Sequence, residues 1–376
     1  MSDKTTTAGG QKYEPGTHPD MPPPFSARGP VKWVRENLFS SPANILMTIL
    51  ALFALYKIIP GFASWAITDA TFLAADRNEC RELNSGACWA FIVQRWELFT
   101  YGFYPEDSRW RVILTFILLL IVIVGLLWEN CPGRKYILRF SLIFPFLAFW
   151  LIMGGLGLER VTTDQFGGFM LTLIIGIVGI SLSLPIGICL ALGRQSNLPI
   201  IKYACIGFIE FIRGVPLITL LFVASTMLSY FLPPGTNFNL LLRVLIMVTL
   251  FASAYMAEVI RGGLQAIPKG QTEAADAMGL KYWASMRLIV LPQALKISIP
   301  GIVNTFIGLY KDSTLVIIIG LLDPLGIGQA SLADNKWQGL STEVYLFVAI
   351  FFFISCFAMA RYSLYLERKL DTGHRT

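Results

Sequence analysis

Charge is what this chain has least of. Asp, Glu, Lys and Arg make up 14% of its 376 residues, against roughly 25% in soluble globular proteins. So few ionic groups cannot cover the surface of a water-soluble protein of this length, and a soluble multidomain reading is excluded. Histidine is almost missing as well. His18 and His374 both lie in polar tails, which leaves no imidazole for acid–base chemistry or metal ligation in the apolar part. Six scattered cysteines are too few for a disulfide scaffold. No G-x-x-x-x-G-K-[ST] loop occurs, so the chain has no phosphate cradle for ATP. Gly262, Gly263 and Gly308 lack the Lys-Ser or Lys-Thr at the required spacing.

What the chain has is apolar sequence. Hydrophobic residues reach 55%, aromatics 13%, and mean hydropathy is +0.62. A helix needs about 20 mostly apolar residues to cross the hydrocarbon layer. Eight segments meet that need: 44–60, 112–128, 137–158, 167–192, 208–232, 240–260, 298–321 and 343–362. They lack the ten-residue alternation of membrane strands. The expected class is an all-α integral membrane protein with about eight spans.

The first residues differ in kind. Pro15, Pro19, Pro22, Pro23, Pro24 and Pro30 stand among Gly, Thr and Ser, so 1–41 is expected to be a disordered tail. No charged start leads into a short apolar run with a cleavage site, and the first helix is expected to stay in the mature protein. The net charge of +6 does not call for nucleic acid, because basic loops also orient membrane proteins. With the N-terminus inside, segments 1–41, 129–139, 193–206, 261–297 and 361–376 hold 19 of the 30 Lys and Arg. Both termini are therefore expected to be cytoplasmic.

That orientation puts 61–111 outside, where an oxidising compartment permits a bridge between Cys80 and Cys88. The same loop carries Trp89, Phe91, Trp96, Phe99, Tyr101, Phe103 and Tyr104, with Arg95 and Glu97 between them. Two readings of 89–104 stand side by side: an interfacial segment at headgroup level, or packing against neighbouring helices.

The loop 261–297 is the most informative stretch. Thr272 is read as an N-cap, with Glu273 and Asp276 in the positive first turn. Gly279 ends that turn, and 281–290 forms a second short helix stopped by Pro292. Ala274, Ala275, Ala277 and Met278 leave a small, smooth surface, suited to a groove on another protein. This arrangement resembles the signature of ABC importer permeases: E-A-A, three residues, G, nine residues, I-x-L-P. Here it is Glu273-Ala274-Ala275, Gly279, Ile289, Leu291 and Pro292. Glu210 to Leu217, Ala257 to Gln271 and Leu309 to Leu315 are similar to the polar amino-acid branch of that family. The resemblance covers about 163–370.

The resemblance implies a type I permease core of five helices over 163–370, ending in a cytoplasmic tail, 371–376. The three helices of 42–160, with the external loop 61–111, are then an N-terminal extension. Such an extension resembles the longer permease of general L-amino-acid or glutamate/glutamine/aspartate/asparagine importers. The implied function is a permease subunit of an ATP-driven, binding-protein-dependent importer in the bacterial inner membrane, carrying L-amino acids. The implied partners are ATP-binding ABC ATPase subunits docked on the 261–297 loop, a second and non-identical permease, and a periplasmic amino-acid-binding protein. The chain itself is expected to be no enzyme and to hold no cofactor or metal. ATP belongs to the partner ATPase.

Charges within spans are costly and face protein or water. Lys311 and Asp312 lie about 20 Å along the seventh span. Gly301, Asn304, Thr305, Gly308, Lys311 and Asp312 recur at three- and four-residue intervals, giving one small, polar face. Asn304, Gly308, Lys311 and Asp312 are the substrate-pathway candidates, since a zwitterion removed from water needs partners of both signs. Glu210, Arg213, Glu258 and Arg261 read better as structural ion pairs beside the loop. Gly214 and Pro216 interrupt their helix. An ion channel lacks its repeated selectivity element here. A membrane enzyme lacks its catalytic constellation. A transporter without an ATPase is disfavoured by the loop signature.

Overall fold

The computed structural model describes residues 29–83, 85–128, 130–227, 230, 233 and 238–370. Among them sixteen α-helices form and no β-strand does. The chain divides into two compact units, Met1–Ala70 with Ser85–Ala87, and Thr71–Asn84 with Cys88–Thr376.

The first unit contains α1 (Gly29–Asn37) and α2 (Pro42–Ala63). Ser41 caps α2 by accepting the Asn44 backbone N–H at 3.2 Å, which satisfies one of the first-turn donors. Pro42 occupies the first helical position, where its missing N–H costs nothing. A π-turn carries the helix on to Thr68, and 27 residues suffice to cross a bilayer. The expected disordered tail 1–41 is corrected at its end, because Gly29–Asn37 is helical. The rest of that expectation, 1–28, lies outside the described residues, as does the tail 371–376.

In the second unit, three short helices precede the next span: α3 (Arg77–Leu83), α4 (Ala90–Gln94) and α5 (Trp96–Tyr101). Then come α6 (Arg109–Leu127) and α7 (Arg134–Met153), a packed antiparallel pair in which Gly125 faces Ile137. The following helices are α8 (Gly168–Arg194), α9 (Pro199–Gly214), α10 (Leu217–Phe222), α11 (Leu240–Gln265), α12 (Lys269–Ala277), α13 (Tyr282–Ser285), α14 (Leu291–Asp312), α15 (Pro324–Ser331) and α16 (Ser341–Leu370).

Helix α11 is the centre of this unit, with α8 on one flank and α14 on another. Val244, Val248 and Ala252 of α11 join Leu171 and Ile175 of α8 and Leu309 of α14 in one buried cluster. Met256, Ala257 and Ile260 continue it with Ala191 and Ala294. The approach is close enough that a Cβ on Gly187 would stand 2.7 Å from the Met256 Cβ. A side chain there would force the two helices apart.

Seven helical stretches among the described residues are long and apolar enough to cross a membrane, and eight if one bent pair counts as a span. The bent pair corrects the expected span 208–232. Helix α9 ends at Gly214, the chain turns by 102°, and α10 runs on through a π-turn to Met227. Pro216 supplies no N–H to continue the ladder and opens α10 as its N-cap. The eleven residues 217–227 extend about 16 Å, roughly half the hydrocarbon thickness. The remainder of 208–232 reaches into positions outside the described residues.

Pro292 differs from its expected role. It does not stop a helix. It sits in the first turn of α14, where proline is tolerated. Tyr282–Ile319 is one helical run of 38 residues, about 57 Å.

Candidate coupling and translocation sites

The loop after α11 begins with Pro268 as the N-cap of α12. Thr272 is therefore inside the helix, and the reading of Thr272 as its cap is corrected. Glu273 and Ala274 are exposed, while Ala275 turns inward and is buried. The helix closes with a Schellman arrangement. Leu280 N–H reaches the Ala275 carbonyl at 3.1 Å and Gly279 N–H reaches that of Asp276 at 2.9 Å. Gly279 takes φ +74°, and a Cβ there would meet nothing within 4 Å. Any side chain at 279 would project into open space. Beyond it stand Met278, 81% exposed, with Tyr282 and Trp283, whose rings meet edge-on at 5.2 Å. Ile289 lies in the π-turn Met286–Val290, and Leu291 and Pro292 open α14.

Within α14 the expected single polar face splits. Gly301 lies against Val259 of α11, and Thr305 donates to the Gly301 carbonyl at 2.9 Å. Both serve packing. Asn304 and Lys311 are exposed on this chain, and Gly308 is open above its Cα. These three share one stripe at spacings of four and three. Asp312 is half-buried next to Lys311. Among the described residues no ion pair holds Lys311 or Asp312. Directly after them the helix tightens into a 3₁₀ segment, Ser313–Ile319.

Glu210, Arg213, Glu258 and Arg261 lie together, with a fifth member that sequence reasoning missed. Arg194, the last residue of α8, reaches Glu258 at 2.9 Å and Glu210 at 3.4 Å. Arg213 stands 3.4 Å and Arg261 2.9 Å from Glu258. Arg194 is 64 positions from Glu258, and only the placement of α8 beside α11 brings them together. The signal present in the sequence was an arginine at the end of a long apolar run.

At the other end, Cys80 and Cys88 form a disulfide, with Cα atoms 5.8 Å apart. In the segment 89–104 the packing reading holds for part of the aromatic set. Phe91, Phe99 and Tyr104 are buried, while Trp96 and Phe103 are exposed. Tyr104 donates to the Ile152 carbonyl at 2.8 Å. Arg111 is also buried and donates to the Glu159 carbonyl at 2.8 Å. The module α3–α5 is fastened to the loop before α16. Arg95 pairs with Asp334 at 2.6 Å, the Trp337 ring lies 5.6 Å from that of Phe91, and Glu343 accepts the Cys88 N–H at 3.3 Å. Beyond the last residue of the seventh span, Asp323 caps α15 through the Gly326 N–H at 2.8 Å. It is wholly buried, and among the described residues its Oδ2 has no hydrogen-bond partner. Burial pushes its carboxyl up to about 6.

Residues 183–372 match the family described as the inner membrane component of binding-protein-dependent transport systems. The chain is 46% identical to the glutamate/glutamine/aspartate/asparagine transport system permease protein BztC of Rhodobacter capsulatus, over 94% of this chain and 96% of that one. It is 48% identical to the inner membrane amino-acid ABC transporter permease protein YhdY of Escherichia coli K12, over 95% and 97%. The probable glutamine ABC transporter permease protein GlnM of Bacillus subtilis is 32% identical, over 55% of this chain and 93% of its own length. A relative named as a permease is thus matched almost whole by little more than half of this chain. An all-helical chain with seven or eight candidate spans and this likeness over nearly its full length belongs to the family of binding-protein-dependent transport system inner membrane components.

Proposed function

We propose that this chain is the permease subunit of an ATP-driven importer of polar L-amino acids, with Glu273 to Pro292 as the element that receives the force of ATP hydrolysis. The observation that carries the proposal is the finish of that loop. A capped helix of small residues ends at an open Gly279, flanked by exposed Met278, Tyr282 and Trp283. Exposed apolar side chains gathered outside the hydrocarbon mark a contact surface for another protein, and the ATPase subunit is the partner a permease requires. The loop and both termini are then cytoplasmic, in agreement with the distribution of Lys and Arg.

Asn304, Gly308, Lys311 and Asp312 are the pathway candidates. An ammonium and an amide exposed on a spanning helix cannot face lipid cheaply, so this stripe faces a partner permease or the translocation route. Two charges of opposite sign, side by side and unpaired, suit a zwitterionic substrate. The partner permease is proposed to be a different, shorter chain, because the extension adds nothing that a symmetric pair would need twice. The amino acids are proposed to include those in the name of the Rhodobacter relative.

The test is purification in mild detergent, followed by uptake of radiolabelled L-glutamate, L-glutamine, L-aspartate and L-asparagine, each offered singly to proteoliposomes. The wild-type chain should bring down an ATPase and a second permease. Gly279→Asp should insert at normal levels and lose both the ATPase and uptake. At +74° a side chain costs about 1–2 kcal/mol, too little to unfold the bundle. Normal uptake by Gly279→Asp with the ATPase attached would sink the coupling assignment.

A further inference from the structure

Where α11 approaches the loop, one carboxylate gathers three arginines from three helices. Glu258 is 16% exposed. Arg261, one turn further along α11, places Nε and Nη2 at 3.1 and 2.9 Å from its two oxygens. Arg194 closes on Oε1 at 2.9 Å from the end of α8, as an ion pair rather than an aligned hydrogen bond. Arg213, near the end of α9, is the longest contact, at 3.4 Å from Oε2, and the most exposed of the three arginines at 38%. Its guanidinium also lies over the Tyr255 ring at 5.5 Å. Arg213 therefore has a second resting place on α11 should it leave the carboxylate.

Fastening two helices takes one such pair, and buried pairs add little net stability. What distinguishes this cluster is its position. Glu258 lies eleven residues before Lys269, where α12 begins, on the helix that leads into the loop. Arg213 lies two residues before Val215, where the chain turns by 102° into α10. One side chain thus joins the root of the loop to the break in the bent helix. A carboxylate has about four acceptor positions, so it can exchange one arginine for another while the helices shift, without ever standing uncompensated.

We propose that Glu258 is a positioning residue for transport, transmitting displacement of the 269–285 loop to the bend at Val215–Pro216 through Arg213. The inference rests on the importer reading above. In it, Arg261 and Arg194 keep Glu258 in place, while Arg213 is the arm that engages and releases. Releasing it frees the end of α9 and lets the angle of α10 change with the state of the loop.

The experiment uses the whole purified importer in proteoliposomes and counts amino acid transported per ATP hydrolysed, with the same radiolabelled amino acids. Glu258→Gln and Arg213→Gln should retain the ATPase and hydrolyse ATP, while the transport-to-hydrolysis ratio falls at least fivefold. KM for uptake should not change. Arg213→Lys should recover at least half of the ratio, and the double variant should be no worse than either single one. A lower yield or melting temperature with an unchanged ratio would reduce Glu258 to a structural fastening and overturn the proposal. If Glu258→Gln does not accumulate, Arg213→Gln decides alone, since it removes the more exposed partner. A wild-type preparation that neither retains an ATPase nor transports amino acids would instead defeat the importer reading.

Discussion

Two tryptophans at opposite ends of the helical bundle are finished in different ways. Trp337 is 1% exposed, packed beside Phe91 in a cluster with Phe99, Ile327 and Val344. Trp283 is 70% exposed and has the Tyr282 ring edge-on beside it. Around Trp337 the chain completes its own surface with a disulfide, an ion pair and a buried glutamate. Trp283 stands at the start of the run Tyr282–Ile319, which is nearly twice as long as the hydrocarbon is thick, and Arg287 and Lys296 stand in the same part of it. The apolar rings there stay largely exposed. One end buries its tryptophan, and the other leaves its tryptophan exposed.

Substitutions at the two ends should therefore act on different quantities. Trp337→Ala should cost the most stability, about 3–5 kcal/mol, because it empties a packed site. Thermal unfolding in detergent, with limited proteolysis of 71–104, would register the loss. Unchanged melting and unchanged cleavage would show that the end around Trp337 is not held by this core.

Asp323→Asn comes next, and its effect depends on pH. The carboxyl stands at about 6, against an ordinary 3.8, so the folded protein holds this proton more tightly than the unfolded chain. Below about pH 4 the burial penalty is absent. It grows as pH rises and is complete above about 6, at about 3 kcal/mol. Asparagine keeps an oxygen for the Gly326 N–H and carries no charge. Melting temperature should therefore decline from pH 4 to pH 7 in the wild type and run flatter in Asp323→Asn. Parallel profiles would rule out a burial penalty on Asp323.

Arg95→Ala should cost under about 1 kcal/mol, since both partners of the Arg95–Asp334 pair remain one-third exposed. A larger loss would mean that this pair, rather than the aromatic cluster, fastens the module. Trp283→Ala should leave melting where it was and still reduce the ATPase retained on purification. A fall in melting temperature would place Trp283 in the fold and blunt the contrast between the two ends.

Most spans were legible in the sequence because apolarity over about 20 residues is what a bilayer selects. The expected 240–260 became Leu240–Gln265, and 343–362 became Ser341–Leu370. The exception, 208–232, failed because composition reports hydrophobicity and says nothing of direction. Gly214 and Pro216 marked the break without giving its 102°. Propensity misplaced the start of α12. Thr272 is the better capping side chain, yet Pro268 caps the helix four residues before it. The polar face of α14 was half legible, since spacing gathers residues on a side but cannot tell which of them a neighbouring helix will cover, as Val259 covers Gly301. The Arg194 arm, the buried Asp323 and the Phe91–Trp337 contact depend on long-range placement, which periodicity does not contain.

Helix α2 has a consequence for how the protein is made. None of its side chains is buried within this chain, although Ile, Leu, Ala and Phe make up most of its residues. Its composition favours partition from water into lipid, residue by residue. During synthesis it leaves the ribosome before any other span of the described chain. A stretch of that composition enters the bilayer without waiting for a neighbour. A span's direction follows the Lys and Arg that flank it, and each later helix is threaded in alternation with the one before. The orientation of the translocation route would in this way be decided while the residues that line it had yet to be translated.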